Sequence, residues 1–163
     1  MTDSFPTLSP AYAPTSVWYA TKDGLQTVIH GNPFSGPPAE ANKAILVSLR
    51  MPAWQQAGEF VAYSKNQRRR GYRLVLIFNA RRPVPSGDAC RDLDEIEVGP
   101  SSGLTRIHAA FCASQRPLSE IGGMVSARGL DDPEFRRLLA DTMDQLLPPR
   151  NFENDDGCKA PSC

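Results

Sequence analysis

The sequence predicts an α+β domain: a mainly antiparallel sheet of about five to six strands in the order β-β-α-β-β-β-β-α, with two helices packed on one face. Three observations carry this. Residues 74–78 (LVLIF) form an unbroken apolar run, the mark of a strand covered on both faces. Phe135, Leu138, Leu139, Thr142, Met143, Leu146 and Leu147 recur at helical spacing, giving an amphipathic helix. Between these lie short runs rich in β-branched and aromatic residues, separated by turn residues, without the strict β-α alternation of a doubly wound sheet.

The elements follow in order. Residues 16–21 (SVWYAT) read as a strand; Lys22, Asp23 and Gly24 form a turn with Gly24 able to take a positive φ, and residues 25–30 (LQTVIH) return as the second strand of a hairpin. Residues 31–36 are loop chemistry. Pro37 and Pro38 suit the first turn of a helix, where a missing N–H costs nothing, with Ser35 as candidate N-cap. Ala41, Ala44, Ile45, Val47, Leu49 and Met51 continue that helix, and Pro52 ends it. Residues 60–64 (FVAYS) and 72–79 (YRLVLIFN) read as strands joined by the polar turn 65–71. The acidic connection 80–103 is broken by Pro83, Pro85, Gly87, Gly99, Pro100 and Gly103. Structureless loops beyond about 12–15 residues are uncommon in compact domains, so a restraint on this one is expected. Residues 105–113 alternate, with Ile107, Ala109 and Phe111 on one face and Arg106, His108, Ala110 and Cys112 on the other. After the turn 114–117, residues 118–126 form a return strand weakened by Gly122 and Gly123. Asp131 or Asp132 caps the final helix, Pro133 occupies its first position, and Pro148 and Pro149 stop it.

The ends are rich in proline, and residues 151–163 are polar and acidic. The expected organisation is a flexible segment 1–15, a single α+β domain 16–149 and a disordered tail 150–163. Lys plus Arg and Asp plus Glu balance at 18 each, with an isoelectric point near 6.7. Bulk charge therefore gives no case for nucleic acid or an anionic membrane. No apolar run approaches the roughly 18 residues of a membrane span. Residues 1–20 lack the basic start and apolar core of a signal peptide, so the chain as written is expected in the cytoplasm. A true start further upstream would allow the periplasm or cell envelope.

Residues able to carry chemistry are few. Cys90 lies in the long connection and Cys112 in the next strand; a bridge between them would close a loop of about 20 residues, stabilise the fold by about 3 kcal/mol and supply the missing restraint. The alternative is two independent reduced thiols, and the compartment decides between them. Cys158 and Cys163 lack the second ligand pair of a zinc site. His30 and His108 sit in strands without metal-binding spacing, and the acidic stretch 88–97 lacks the glycine turn and closing glutamate of a calcium loop. No nucleophile elbow or phosphate-cradling glycine loop occurs, so no catalytic residue, metal or cofactor is expected. Arg68, Arg69 and Arg70, with Lys65, Arg73, Arg81 and Arg82 and with Tyr63 and Tyr72 nearby, form the one local charge anomaly. Such a patch can bind single-stranded nucleic acid, but in a neutral chain a solvated turn that blunts a sheet edge is the favoured reading.

Several segments together carry a resemblance: Gly31-Asn32-Pro33-Phe34, Phe78-Asn79, Cys90-Arg91, Ala109-Ala110-Phe111-Cys112, Leu118-Ser119-Glu120, and Asp132-Pro133-Glu134-Phe135-Arg136-Arg137-Leu138. The chain resembles, over roughly residues 25–148, a group of small bacterial proteins of uncharacterised function, many of which look like cell-envelope lipoproteins. The resemblance implies an oxidising compartment and a Cys90–Cys112 bridge; it brings no activity. The N-terminus departs from the pattern, because a lipoprotein signal and its cysteine are missing. The expected function is a non-catalytic binding or assembly domain, with a protein partner, at the bacterial envelope. The alternatives are a small enzyme with a site near His30, Asn32, His108 and Glu120, or an RNA-binding module using Arg68, Arg69, Arg70 and Arg73.

Overall fold

In chain order the elements are β1 (Thr2–Asp3), β2 (Thr7–Leu8), α1 (Pro14–Thr21), β3 (Leu25–His30), α2 (Pro38–Ser48), β4 (Phe60–Ala62), β5 (Tyr72–Phe78), α3 (Asp88–Arg91), a 3-10 turn at Leu93–Glu95, β6 (Thr105–Ala113), β7 (Arg116–Val125) and α4 (Pro133–Leu146). They come from a computed structural model, which describes residues 2–3, 6–55, 58–63, 71–100 and 103–151. The strands form one sheet in the order β1-β7-β6-β5-β3-β4, with β2 pairing β7 beside β1. The α+β class holds. The sheet is mixed: most pairings are antiparallel, through β5, β6, β7 and the N-terminal edge, but β3 runs parallel to both β4 and β5. Four α-helices appear among the described residues in place of two.

Two expected hairpins account for the parallel pairs and for α1, while the fourth helix, α3, is a short turn within the connection 80–103. Residues 16–21 belong to helix α1, not to a strand. Pro14 opens it, Val17 and Thr21 are buried one turn apart, and the Thr21 hydroxyl donates to the Val17 carbonyl at 2.9 Å. The β-propensity of Val, Trp and Tyr yields here to burial of one helical face. Gly24 does take a positive φ, +95°, but its N–H donates to the Thr21 carbonyl at 3.1 Å, so the turn ends a helix. The second expected hairpin, 60–64 with 72–79, is split by β3, which lies between β4 and β5. A parallel neighbour needs a crossover, and α2 supplies it between β3 and β4. α2 begins at Pro38 as its prolines require, but extended Pro37 takes the capping position without a side-chain bond, leaving Ser35 outside that role.

The two sheet faces are covered differently. On one, Leu74, Leu76, Phe78, Ile107, Ala109 and Phe111 pack beneath α1, α2 and α4. The α4 stripe is buried as its spacing requires, and Asp132 caps the helix by accepting from the Glu134 N–H at 3.0 Å. Phe135 of this helix meets Phe34 edge-on at 5.0 Å and Phe78 at 6.0 Å. Asn79 closes β5 with a left-handed φ of 56°, which asparagine tolerates. Its amide donates to the carbonyls of Asn32 and Pro33 at 3.1 and 3.3 Å and accepts from the Arg106 N–H at 3.0 Å. On the opposite face, Val75, Ile77, Ala110 and Cys112 are covered by α3 and the connection that carries it.

The chain ends depart from expectation. Thr7 and Leu8 pair with Glu120 and Ser119 of β7, and Tyr12 is 1% exposed, so the domain takes in part of the segment 1–15 that was expected to be flexible. The C-terminal carbonyls of α4 and the residues after it, which lack intrahelical donors, meet three buried or half-buried side chains. Ser119 Oγ donates to Leu146 O at 2.6 Å, Trp54 Nε1 to Leu147 O at 2.8 Å, and Tyr12 Oη to Pro148 O at 2.6 Å. Asn151 is also buried and donates to the carbonyls of Ser9 and Tyr12 at 2.8 and 3.0 Å. The remainder of the expected tail, 152–163, with Cys158 and Cys163, lies outside the described residues. Tyr12→Phe keeps the ring contact with Phe111 but leaves the Pro148 carbonyl unpaired. It is expected to cost about 1–3 kcal/mol, read as a lower urea midpoint at unchanged slope.

Candidate functional site

The face covered by the connection holds most of the polar side chains singled out above. The register places His30, Ile77, His108 and Gly122 in one row across β3, β5, β6 and β7. With strands about 4.8 Å apart, His30 and His108 stand roughly 10 Å from each other, too far to share a ligand or proton. Each has its own partner. His30 Nε2 lies 2.7 Å from the Ile96 carbonyl, an acceptor only, so the proton sits on Nε2. Asn32 forms a local turn, accepting from the Phe34 N–H at 3.1 Å and donating to Gly36 O at 3.0 Å. Of the four residues considered for an enzyme site, the fold brings together only His108 and Glu120, at 3.3 Å.

Glu120 is almost fully buried on β7. One carboxylate oxygen accepts from Ser86 Oγ at 2.9 Å, and both accept from the Gly87 N–H at 3.1 and 3.2 Å. Gly87 has φ +87°, a left-handed conformation that glycine adopts at low cost and that turns its N–H onto the carboxylate. Burial pushes the Glu120 carboxyl upward, but the hydrogen bonds from His108, Gly87 and Ser86 together outweigh it and hold the group below the ordinary glutamate range. Glu120 is thus an ionised anchor at the start of α3.

Cys90 and Cys112 anchor the far end of α3, with their sulfurs 2.04 Å apart as a disulfide. Arg73 reinforces this point: its guanidinium donates to the carbonyls of Cys90 and Ser114. Arg73 is therefore half-buried and committed to the connection instead of contributing to a free basic patch. Arg68, Arg69 and Arg70 lie outside the described residues.

Above β6 and β7 the connection leaves a cavity of about 560 Å³, lined by Arg82, Val84, Arg106, His108, Glu120 and Met124 among others. Gly122 pairs with His108, and its missing side chain keeps the floor open. The sequence reading named Arg82 only as part of the basic run and Arg106 only by its strand face. Arg106 had a legible signal for this site, since it alternates onto the same face as His108; the place of Arg82 in the cavity depends on how the connection folds. Among the described residues, no group of three or more His, Cys, Asp or Glu could hold a metal ion. No described helix is long and apolar enough to cross a membrane.

No family model and no curated protein matches the chain. A solved structure is similar to it: a dodecamer of a PelC variant from Paraburkholderia phytofirmans, at 17% identity and a TM-score of 0.47, covering 91% of this chain and 100% of that one. A likeness at that level supports no statement about this chain's function.

Two outcomes test these anchors. Because the folded carboxyl of Glu120 is depressed, its contribution is present above the unfolded glutamate value and is lost as pH falls through the folded one. Urea melts from about pH 7 to about pH 3 should show Glu120→Gln less stable than the parent at neutral pH, with the two curves converging in acid. Parallel curves would remove Glu120 from the role. Cys90→Ser is expected to cost about 3 kcal/mol under oxidising conditions and far less with dithiothreitol, since the bridge closes a loop spanning 22 positions.

Proposed function

We propose that the chain is a non-catalytic binding or assembly domain of the bacterial cell envelope that works with a protein partner. One observation supports this most. Most of the side chains that could perform chemistry on the connection-covered face are engaged in holding that connection: His30 on Ile96, Arg73 on Cys90, Cys112 on Cys90, and Glu120 on Ser86 and Gly87. A carboxylate saturated by donors and held ionised is a poor general acid or base at neutral pH. The envelope assignment draws on the Cys90–Cys112 bridge, because disulfides persist in oxidising compartments. A protein partner is supported by the exposed aromatic pair on α1: Trp18 and Tyr19, 50% and 47% exposed, meet edge-on at 4.9 Å, with Lys22 over the indole. Aromatic residues of this kind are enriched at interfaces.

The enzyme reading retains one observation in its favour. Glu120 orients the His108 imidazole as an acidic residue orients a catalytic histidine. The Ser86 hydroxyl donates to Glu120, however, which leaves the pair without a hydroxyl nucleophile facing the imidazole among the described contacts. Complementation of a deletion strain separates the readings. His30→Ala and His108→Ala, each confirmed as folded by thermal melting, are expected to restore the parent phenotype fully, while the double variant Trp18→Ala, Tyr19→Ala is expected to lose a partner that cross-links to the parent in cells. Loss of function in folded His108→Ala with partner cross-linking intact would establish the enzyme reading instead.

A further inference from the structure

The cavity over β6 and β7 has properties that the anchoring of the connection does not require. Its volume of about 560 Å³ lies in the range of small-molecule sites. Its walls are mixed: Val84 and Met124 give partly exposed apolar surface, and two arginines line it from different elements, Arg106 from β6 and Arg82 from the connection. Neither guanidinium has an ion-pair partner among the described residues. Glu120 does not neutralise them, because its oxygens accept from Ser86, Gly87 and His108. The lining thus carries two guanidiniums against one already satisfied carboxylate, and its net charge favours an anion.

We propose that this cavity binds a small amphipathic carboxylate, its anionic group held by Arg82 and Arg106 and its apolar part lying on Val84 and Met124. The proposal rests on the reading of the chain as a binding domain and adds the class of ligand to it. The guanidinium fork matches a carboxylate in two parallel hydrogen bonds. Gly122 on the floor gives the apolar part access that any larger residue opposite His108 would narrow.

The test is an amide-resolved NMR titration of the full chain with octanoate, against octylamine and 1-octanol as chain-length-matched cationic and neutral probes. Octanoate is expected to shift the amides of Gly122, Gly123 and Met124, with octylamine leaving them in place. The double variant Arg82→Gln, Arg106→Gln, confirmed as folded by its melting curve, is expected to weaken octanoate binding at least tenfold while leaving the weaker 1-octanol binding unchanged. If 1-octanol binds as tightly as octanoate, or if the double variant binds octanoate like the parent, the carboxylate assignment is overturned while the binding-domain reading stands. Absence of any shift with all three probes overturns the site itself. Failure of the binding-domain reading has its own signature, the loss of complementation by folded His108→Ala.

Discussion

An irregular, acidic stretch of chain has to lie flat on an apolar sheet face, and much of the rest of the structure serves that constraint. Backbone amides and carbonyls pressed against Val75, Ile77 and Ala110 lose water and must find partners. One short helix and a single 3-10 turn satisfy several of them locally. The sheet adds further ties from below. β3 sends His30, β5 sends Arg73, β6 sends Cys112 and β7 sends Glu120, all from the same face, and each reaches the connection at a different point. The connection also folds onto itself, with Ala80 bridging Val98 and the Gly99 N–H donating to Asn79 O at 2.9 Å. Four strands thus hold one segment, by one covalent bond and several hydrogen bonds.

This arrangement explains what the sequence made legible. The run 74–78 and the stripe of α4 depend only on periodicity and burial, and both appear where they were expected. The alternation of 105–113 was legible for the same reason: its two faces meet two different covers. Residues 16–21 were not, because six residues rich in β-branched and aromatic side chains suit either state until a neighbouring face selects Val17 and Thr21 for burial. Strand pairing was not legible either. The intervention of β3 between β4 and β5 is a long-range choice, and local turn chemistry at 22–24 is equally compatible with ending a helix.

The candidate site shows the same division. The alternation pattern puts His108 and Arg106 on one face, and a strand partner then brings Glu120 within reach. Arg82 arrives through the path of the connection, which no local pattern encodes. The segments that carry the resemblance divide between two places. Asn32 and Pro33 meet Asn79, and Phe34 and Phe78 meet Phe135, in a packing knot at the end of β5. Cys90, Cys112 and Glu120 instead hold the connection, and Glu120 also lines the cavity.

The pairing of β2 with β7 and the bonds from Tyr12 and Asn151 across to the opposite end of the chain join residues more than a hundred positions apart. Contacts of such separation form slowly, since loop-closure entropy must be overcome before they contribute. During synthesis Thr7 and Leu8 lack their strand partner until β7 is made, and the tyrosine lacks its acceptor until the chain passes Pro148. These contacts can therefore close only after the sheet between them has been translated, so the early strand waits on the late one.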